Sequence, residues 1–221
     1  MGLDQYLDRM PRYKDCTPND VSAIEAYLDW KTSESAQKYT LKEWCGVSED
    51  DLPSQEAFEF YGQFWTTTYP SWDTEHKYPR NTIHESVGYW RKANAIHKWF
   101  VDNVQDGVDN CNSYEVSKGQ LEQLLRICMD VKGMTQMEKG YVKNGETYAN
   151  GMWCPMLEEG EYIINPEVAE ELLPTQGGFF FGSTDYDQWY MQDIDNTIEI
   201  LEKVLEETDF NTQMISYASS W

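Results

Sequence analysis

The density of aromatic side chains is the feature that most restricts what this chain can fold into. Its 221 residues include nine Trp, fifteen Tyr and eight Phe, so 14% of the side chains are aromatic. Each buried aromatic side chain removes roughly 150–250 Å² from water, and disordered acidic chains are poor in such residues. A chain of this length can bury on the order of 70% of its unfolded surface. The sequence therefore predicts one folded domain over residues 1–221.

The net charge excludes one class of function and favours another. The chain carries 39 acidic and 17 basic residues, a net charge of −22. Fifteen of the acids, but only one base, follow Cys154. Nucleic-acid binding needs clustered cations that neutralise phosphates, so we expect no direct nucleic-acid binding. We expect instead a protein partner with a basic surface, because complementary fields speed association and fix orientation.

Neither a membrane segment nor a metal or cofactor site is expected. No apolar run approaches the ~20 residues that cross a bilayer. The first residues lack the basic and apolar regions of a signal peptide. The five cysteines are widely spaced and form no Cys-x-x-Cys pair, unlike the cysteines of zinc-binding sequences. We therefore expect reduced thiols, no metal and no cofactor.

Capping signals and helical periodicity predict about five helices. Thr17, Pro18 and Asp20 have the spacing of a capping box with proline at the first helical position. Apolar residues at helical spacing extend this signal and indicate the other helices. The predicted helices begin near Thr17 and Ser117 and also cover 54–65, 85–105, 165–173 and 185–207.

A small β element is predicted near residues 141–182. Asn144-Gly145 suits a type I′ turn, which indicates a hairpin over 141–148. Residues 160–164 indicate another strand. The phenylalanines at 179–181 indicate a short buried stretch. The segment 132–165 is interpreted as inserted in, or appended to, the helical domain. The predicted fold class is therefore α+β, mainly α-helical.

The third predicted helix carries the candidate ligand site. Arg91, Asn94 and Lys98 share its exposed face, His97 borders that face, and Trp90 supplies a ring. Two cations, an amide and an imidazole can hold a phosphate or carboxylate while a ring stacks on Trp, so an anionic small ligand is one interpretation. The alternative is structural, with the two cations paired to acids and the imidazole hydrogen-bonded at the core edge.

The last predicted helix carries the candidate acidic face. A surface that only keeps the chain soluble is one interpretation, and a surface for a basic protein is another. A special case of the second is mimicry of DNA, which presents one charge per ~1.7 Å of its axis. The face consists of Asp185, Asp187, Asp193, Asp195, Glu199, Glu202 and Glu206.

Three segments resemble a family of proteins found in phages and in prophage regions of bacteria. They are the start MGLDQYL at 1–7, the segment YWRKANAIHKWFV at 89–101, and LPTQGGFFFGSTDYD with the following Trp-Tyr pair at 173–190. The resemblance implies a phage origin and the host cytoplasm as the setting. It implies no activity, because none is established for the family.

These observations predict a phage-encoded accessory protein that acts by binding, as an acidic inhibitor of a host defence or nucleic-acid-handling protein. One alternative is a protein that sequesters a small nucleotide signal with the 91–98 cluster, and another is a hydrolase. An inhibitor should present no deep pocket. A sequestering protein should present a concave site that joins Arg91, His97 and the aromatic run at 179–181. No residue is assigned a catalytic role.

Overall fold

The computed structural model of the protein describes residues 2–34, 38–70, 72–77 and 79–221. About 40% of the chain is helical and 27% is in strands. The helices are α1 (Pro18–Thr32), α2 (Leu41–Cys45), α3 (Gln55–Gly62), α4 (Asn94–Asn103), α5 (Lys118–Met134), α6 (Glu167–Leu172) and α7 (Gln188–Glu207). The strands are β1 (Asp4–Pro11), β2 (Thr66–Thr68), β3 (Arg80–Thr82), β4 (Glu85–Arg91), β5 (Tyr114–Val116), β6 (Met137–Ala149), β7 (Met152–Ile163) and β8 (Gln213–Ser220). Within the described ranges, no helix is both long and apolar enough to cross a membrane.

A four-stranded antiparallel sheet with the order β4-β1-β8-β5 organises the fold. β1 and β8 pair along their full length, from Asp4 opposite Ser220 to Pro11 opposite Gln213. β4 pairs with the other edge of β1, so this strand is held on both sides. Side chains alternate between the two faces of a strand, and the sheet therefore buries a different set of side chains on each face.

Each face of the sheet packs against its own helices. Leu7 and Tyr217 lie on one face, in the main core that also contains residues of α4, α5 and α7. Met10 and Met214 lie on the other face, in a smaller core formed with α1 and α3. In the main core, the rings of Phe100 and Tyr217 stack with centroids 3.8 Å apart. The sheet is thus the middle layer between two groups of helices.

The capping signals located several helices correctly. Thr17 and Asp20 form the predicted capping box of α1, and Ser117 forms another with Gln120 at α5. Ser54 caps α3, although that helix ends at Gly62 and not near residue 65. These signals are readable because cap and capped residue lie within one helical turn of each other.

The prediction of a mainly α-helical fold is wrong. The fold is α+β, but a four-stranded sheet forms its centre and two further two-stranded sheets accompany it. The β element expected near residues 141–182 accounts for only one of these three sheets. β1 and β8 were missed because they mix polar and apolar residues, and because their partner strand lies some two hundred positions away in sequence.

The helix predicted over 85–105 is also wrong in its first third. Residues 85–91 form β4, and the chain turns at Lys92, whose φ of 61° is left-handed, before α4 begins. Gly88 and Trp90 lie on the buried face of the strand. Because Trp90, Ile96 and Phe100 all reach the same core, their spacing imitates one continuous amphipathic helix.

The hairpin at residues 137–163 is longer than predicted and turns at a different place. Asn150 and Gly151 both have positive φ, 52° and 83°, as a type I′ turn requires. Asn144-Gly145, the predicted turn, instead lies at a β-bulge where the register shifts between Lys143 and Glu146. Two Asn-Gly pairs are present, and the pairing register decides which of them becomes the turn.

The aromatic run at 179–181 is not a buried strand. Phe181 is buried, but Phe179 is 95% exposed, and the segment is an irregular loop that leads into α7. α7 begins at Gln188 with Asp187 as its N-cap, three residues later than predicted. The loop has few backbone bonds of its own, so side chains from elsewhere position it.

Substitution of Gly88 distinguishes a strand from a helix at this position. A Cβ atom on Gly88 would lie 2.7 Å from Ile200 Cγ2 of α7 and 3.1 Å from Leu7 Cβ. Overpacking of this kind costs about 1–3 kcal/mol. We expect Gly88→Ala to lower the free energy of unfolding by about that amount, measured by urea denaturation.

Gly133→Ala is the matched control. Gly133 lies within α5, and a Cβ there meets no atom within 4 Å. Ala is favoured over Gly in helices by about 1 kcal/mol, so this variant should gain up to about 1 kcal/mol. If Gly88→Ala were stabilising as well, β4 would be refuted.

Candidate functional site

A cleft of about 900 Å³ lies where the end of β4, the N-terminal end of α7 and the bulge of β6 meet. Residues from both predicted sets line it. Arg91 and Asn94 come from the candidate ligand site, while Asp185, Asp187 and Asp193 come from the candidate acidic face. The fold thus brings together parts of two groups that are about ninety residues apart in sequence.

Asn94 holds the loop that forms one wall of the cleft. Its Nδ2 donates to the carbonyl oxygens of Phe181, at 3.0 Å, and Ser183, at 2.7 Å. Its Oδ1 accepts from the backbone N–H of Gln176 at 3.0 Å. Asn94 is buried, and both of its amide hydrogens are used by the loop. It therefore positions the wall and does not itself face a ligand.

Asp187 lies at the floor of the cleft as the N-cap of α7. Its Oδ1 accepts from the backbone N–H groups of Trp189, at 2.9 Å, and Tyr190, at 3.3 Å. The side chain is buried, and its Oδ2 has no hydrogen-bond partner among the described residues. Burial raises the pKa of Asp187, although the two N–H groups oppose this effect.

Asp193 follows on the same helix and also lines the cleft. Burial, reinforced by the negative charge of Asp187, raises the pKa of Asp193 to about 7. The side chain makes no ion pair with any described residue. Near pH 7 the Asp193 carboxyl is therefore protonated in about half of the molecules.

Three cations and two exposed rings complete the walls. Arg91 ends β4, Lys92 follows it, and Lys143 lies at the bulge of β6. The rings of Phe179 and Trp189 are exposed to solvent. The four carboxylates of the lining, Asp185, Asp187, Asp193 and Glu146, outnumber these cations. An anionic ligand, as expected from the sequence, would have to meet these carboxylates as well.

The remaining residues of the predicted ligand site lie outside the cleft. Trp90 is buried in the main core, where its Nε1 donates to Thr197 at 2.9 Å. His97 is fully buried, with Nδ1 2.9 Å from the Tyr217 hydroxyl and Nε2 3.2 Å from Asp109. Burial lowers the pKa of His97 despite the nearby carboxylate. Lys98 pairs with Asp102 one helical turn later.

The predicted acidic face divides into two parts. Asp185, Asp187 and Asp193 belong to the cleft. The second part begins at Asp195, which pairs with Lys132 of α5 at 2.7 Å. It continues along the solvent side of α7 as an acidic stripe that consists of Glu199, Glu202 and Glu206, all exposed. No residue of the stripe makes a salt bridge within the described part of the chain.

The hairpin of β6 and β7 forms a two-stranded ribbon, one side of which carries large apolar side chains interspersed with Lys143, Glu146 and Glu159. At about 3.3 Å per residue its strands are roughly 40 Å long, and only Val142 and Ile163 of the ribbon are buried. Tyr148 lies opposite Trp153, with ring centroids 5.4 Å apart. The alternation places four large exposed side chains on one side of the ribbon, which we call the docking face. They are Tyr141 (68% exposed), Tyr148 (63%), Trp153 (67%) and Leu157 (61%).

A Glu–His pair on the other side of the sheet was not predicted from the sequence. Both carboxylate oxygens of Glu25 lie within 2.9 Å of His84 Nδ1. Burial tends to lower the pKa of His84, but the bond to Glu25 and the negative charges of Asp8 and Glu25 together outweigh burial, and the pKa is raised. Glu25 also accepts from the backbone N–H groups of Ile83 and His84. The pair therefore fastens α1 to the turn between β3 and β4.

Sequence reasoning missed the docking face and the raised pKa values of Asp187 and Asp193. The docking face had one readable signal, because Tyr141, Tyr148, Trp153 and Leu157 are large apolar residues in a segment rich in glycine and charge. The raised pKa values had none, since helical spacing alone does not show that the loop and the ribbon bury one side of α7. No protein-family model, curated protein or solved structure matches the chain.

The raised pKa of the half-buried Asp193 should make stability depend on pH. Its pKa is raised from 3.8 to about 7 on folding. The stability associated with the protonated group is complete below the unfolded pKa and is lost as the pH rises through about 7. We expect Asp193→Asn to be more stable than wild type, by an amount that grows from pH 5 to pH 8. Urea denaturation at the two pH values measures this difference.

Glu199→Gln serves as the control, because it removes one exposed carboxylate from the same helix. Its effect on the free energy of unfolding should be within about 0.5 kcal/mol and nearly equal at both pH values. An Asp193→Asn effect that is also independent of pH would contradict the raised pKa of this carboxyl.

Proposed function

We propose that the protein acts by binding a protein partner through the docking face of the β6–β7 ribbon. The docking face itself is the observation that carries the proposal. Exposed apolar patches bordered by polar residues mark interaction sites, and a two-stranded ribbon alone is marginally stable in water. A partner that covers the four side chains would remove their apolar area from water and hold the ribbon in place.

The charge of the chain supports a partner of different composition over a second copy. Each copy carries a net charge of −22, so two copies repel each other. The ribbon contains five Glu and two Lys, and the acidic stripe of α7 adds further unpaired carboxylates. The proposed partner is therefore a protein with an apolar seat for the ribbon and basic residues around it.

Proteins that handle nucleic acid have such basic surfaces, because they neutralise phosphates. The phage origin implied by the sequence resemblance makes a host protein the expected partner. We propose inhibition of a host defence or nucleic-acid-handling protein as the result of binding. The acidic stripe would speed the encounter, while the apolar contact would hold the complex.

Removal of the docking face should abolish partner binding without unfolding the chain. Trp153→Ser with Leu157→Ser removes the two apolar side chains of β7 from the docking face, and both are exposed, so the melting temperature should change little. We expect host proteins retained by the wild type to be lost from this variant, measured by quantitative mass spectrometry after affinity capture. The association rate of a retained protein should also fall between 50 and 500 mM salt, because salt screens exposed charges.

Trp44→Ser is the matched control, since Trp44 is an exposed tryptophan on α2, away from the ribbon. It should retain the same proteins as the wild type. Equal retention by the ribbon variant would contradict the proposal. So would sedimentation that shows wild-type dimers and a monomeric ribbon variant, because the docking face would then serve self-association.

A further inference from the structure

A second, smaller cleft of about 160 Å³ lies on the face of the central sheet that carries the smaller core. Residues of β1, of the β2–β3 hairpin and of the first half of β4 line it. Tyr6 and Asp8 reach it from β1, because alternate side chains of a strand share one face and Met10 marks this face as that of the smaller core. A cavity of about 150 Å³ holds benzene. The cleft therefore has room for a single six-membered ring.

Aromatic side chains form much of the lining. They are Tyr6, Tyr69 and Trp72, and the last two are 41% and 38% exposed. The guanidinium carbon of Arg80 lies 6.0 Å from the centroid of the Trp72 ring, so a cation already occupies that ring. Flat rings stack on aromatic side chains. The lining therefore favours a flat ring without a positive charge.

Asp8 supplies a hydrogen-bond acceptor to the cleft. Its side chain is half-buried, and its carboxylate makes no hydrogen bond or ion pair with any described residue. Neither oxygen of this carboxylate is among the fully enclosed unpaired atoms of the described residues. Burial raises the pKa of Asp8 to about 6, although the nearby charges of His84 and Arg80 lower it. Asp8 is therefore mostly ionised at pH 7, and its oxygens are open to a ligand that donates hydrogen bonds.

His84 and Arg80 supply donors. The bond from Nδ1 of His84 to Glu25, 2.8 Å long, fixes the ring, while Nε2 makes no hydrogen bond with any described residue. The raised pKa of His84 favours the protonated ring, in which both nitrogens donate. Arg80 makes no salt bridge within the described ranges, so its guanidinium can also donate to a ligand. The cleft thus combines one acceptor group with two donor groups.

We propose that this cleft binds uracil-type pyrimidines, as free bases or as nucleosides. The edge of such a ring carries one N–H between two carbonyl groups, so the N–H donates to Asp8 while the carbonyl oxygens accept from Arg80 and His84. A cation would meet Arg80 and the protonated His84, and an anion would meet Asp8, so a neutral ring fits this mixture of charges best. The proposal does not depend on the docking face, which belongs to a separate sheet.

The test is a calorimetric titration of the full chain at pH 7 with uracil and with its two N-methyl derivatives. We expect uracil to bind with a Kd below about 1 mM. 3-Methyluracil carries a methyl group in place of the N–H between the carbonyl groups, so it should bind more weakly by about tenfold or more. 1-Methyluracil keeps this N–H and should bind about as tightly as uracil, because nucleosides are substituted at the same nitrogen.

Asp8→Leu replaces the acceptor by an apolar side chain of similar size and should reduce the affinity for uracil about tenfold. Arg80→Met should reduce it as well, and because Arg80 is exposed this variant should melt like the wild type. Arg126→Met is the matched control, since Arg126 is an exposed arginine of α5 that lies outside the cleft. It should bind uracil like the wild type.

Absence of uracil binding up to about 10 mM, a concentration that corresponds to a negligible affinity, would overturn the proposal. Equal binding of uracil and 3-methyluracil would overturn it too, because the N–H would then not contact Asp8. So would unchanged binding in Arg80→Met, or binding of choline or benzoate at concentrations at which uracil does not bind. A melting curve of each variant verifies that a loss of binding is not due to unfolding.

Discussion

The pairing of β1 with β8 is the interaction on which the rest of the structure depends. β1 occupies the middle of the sheet, and without β8 it would keep only β4 as a neighbour. The pair contributes Leu7 and Tyr217 to one core and Met10 and Met214 to the other. Neither group of helices could bury its apolar face against an incomplete sheet. Closing a loop of about two hundred residues costs entropy, which both cores together must offset.

The sequence predicted structure well wherever the decisive partners are close along the chain. Thr17 and Asp20, or Ser117 and Gln120, are three residues apart, so their capping boxes are visible without a fold. The strands of the central sheet are different, because each acquires its burial from a partner far away. Segment 85–105 shows where prediction from periodicity fails. Its strand and its helix reach the same core, so together they produced the periodicity of one helix.

The candidate site was predictable in its parts but not in its assembly. Arg91 and the carboxylates of α7 stood out by residue type, and five of the twelve candidate residues line the cleft. Their assembly depends on Asn94, whose hydrogen bonds to residues 176–183 hold the loop that forms one wall of the cleft. His97 is buried and does not border the exposed face, because the rings of Phe181, Tyr217 and Trp221 pack around it. The docking face could be predicted only with the pairing register of the ribbon, which also decides which of the two Asn-Gly pairs becomes the turn.

The geometry of the β1–β8 pair also determines how the protein responds to force. The strands are antiparallel, and Asp4 lies opposite Ser220 at one end of the pair. Tension applied between these two positions loads the inter-strand hydrogen bonds one after another, because the bonds run perpendicular to the strands. Such a pair opens like a zipper at low force, whereas strands pulled along their length would share the load. A sheet that is well buried on both faces can therefore still be opened at low force when the two strands are pulled apart from this end.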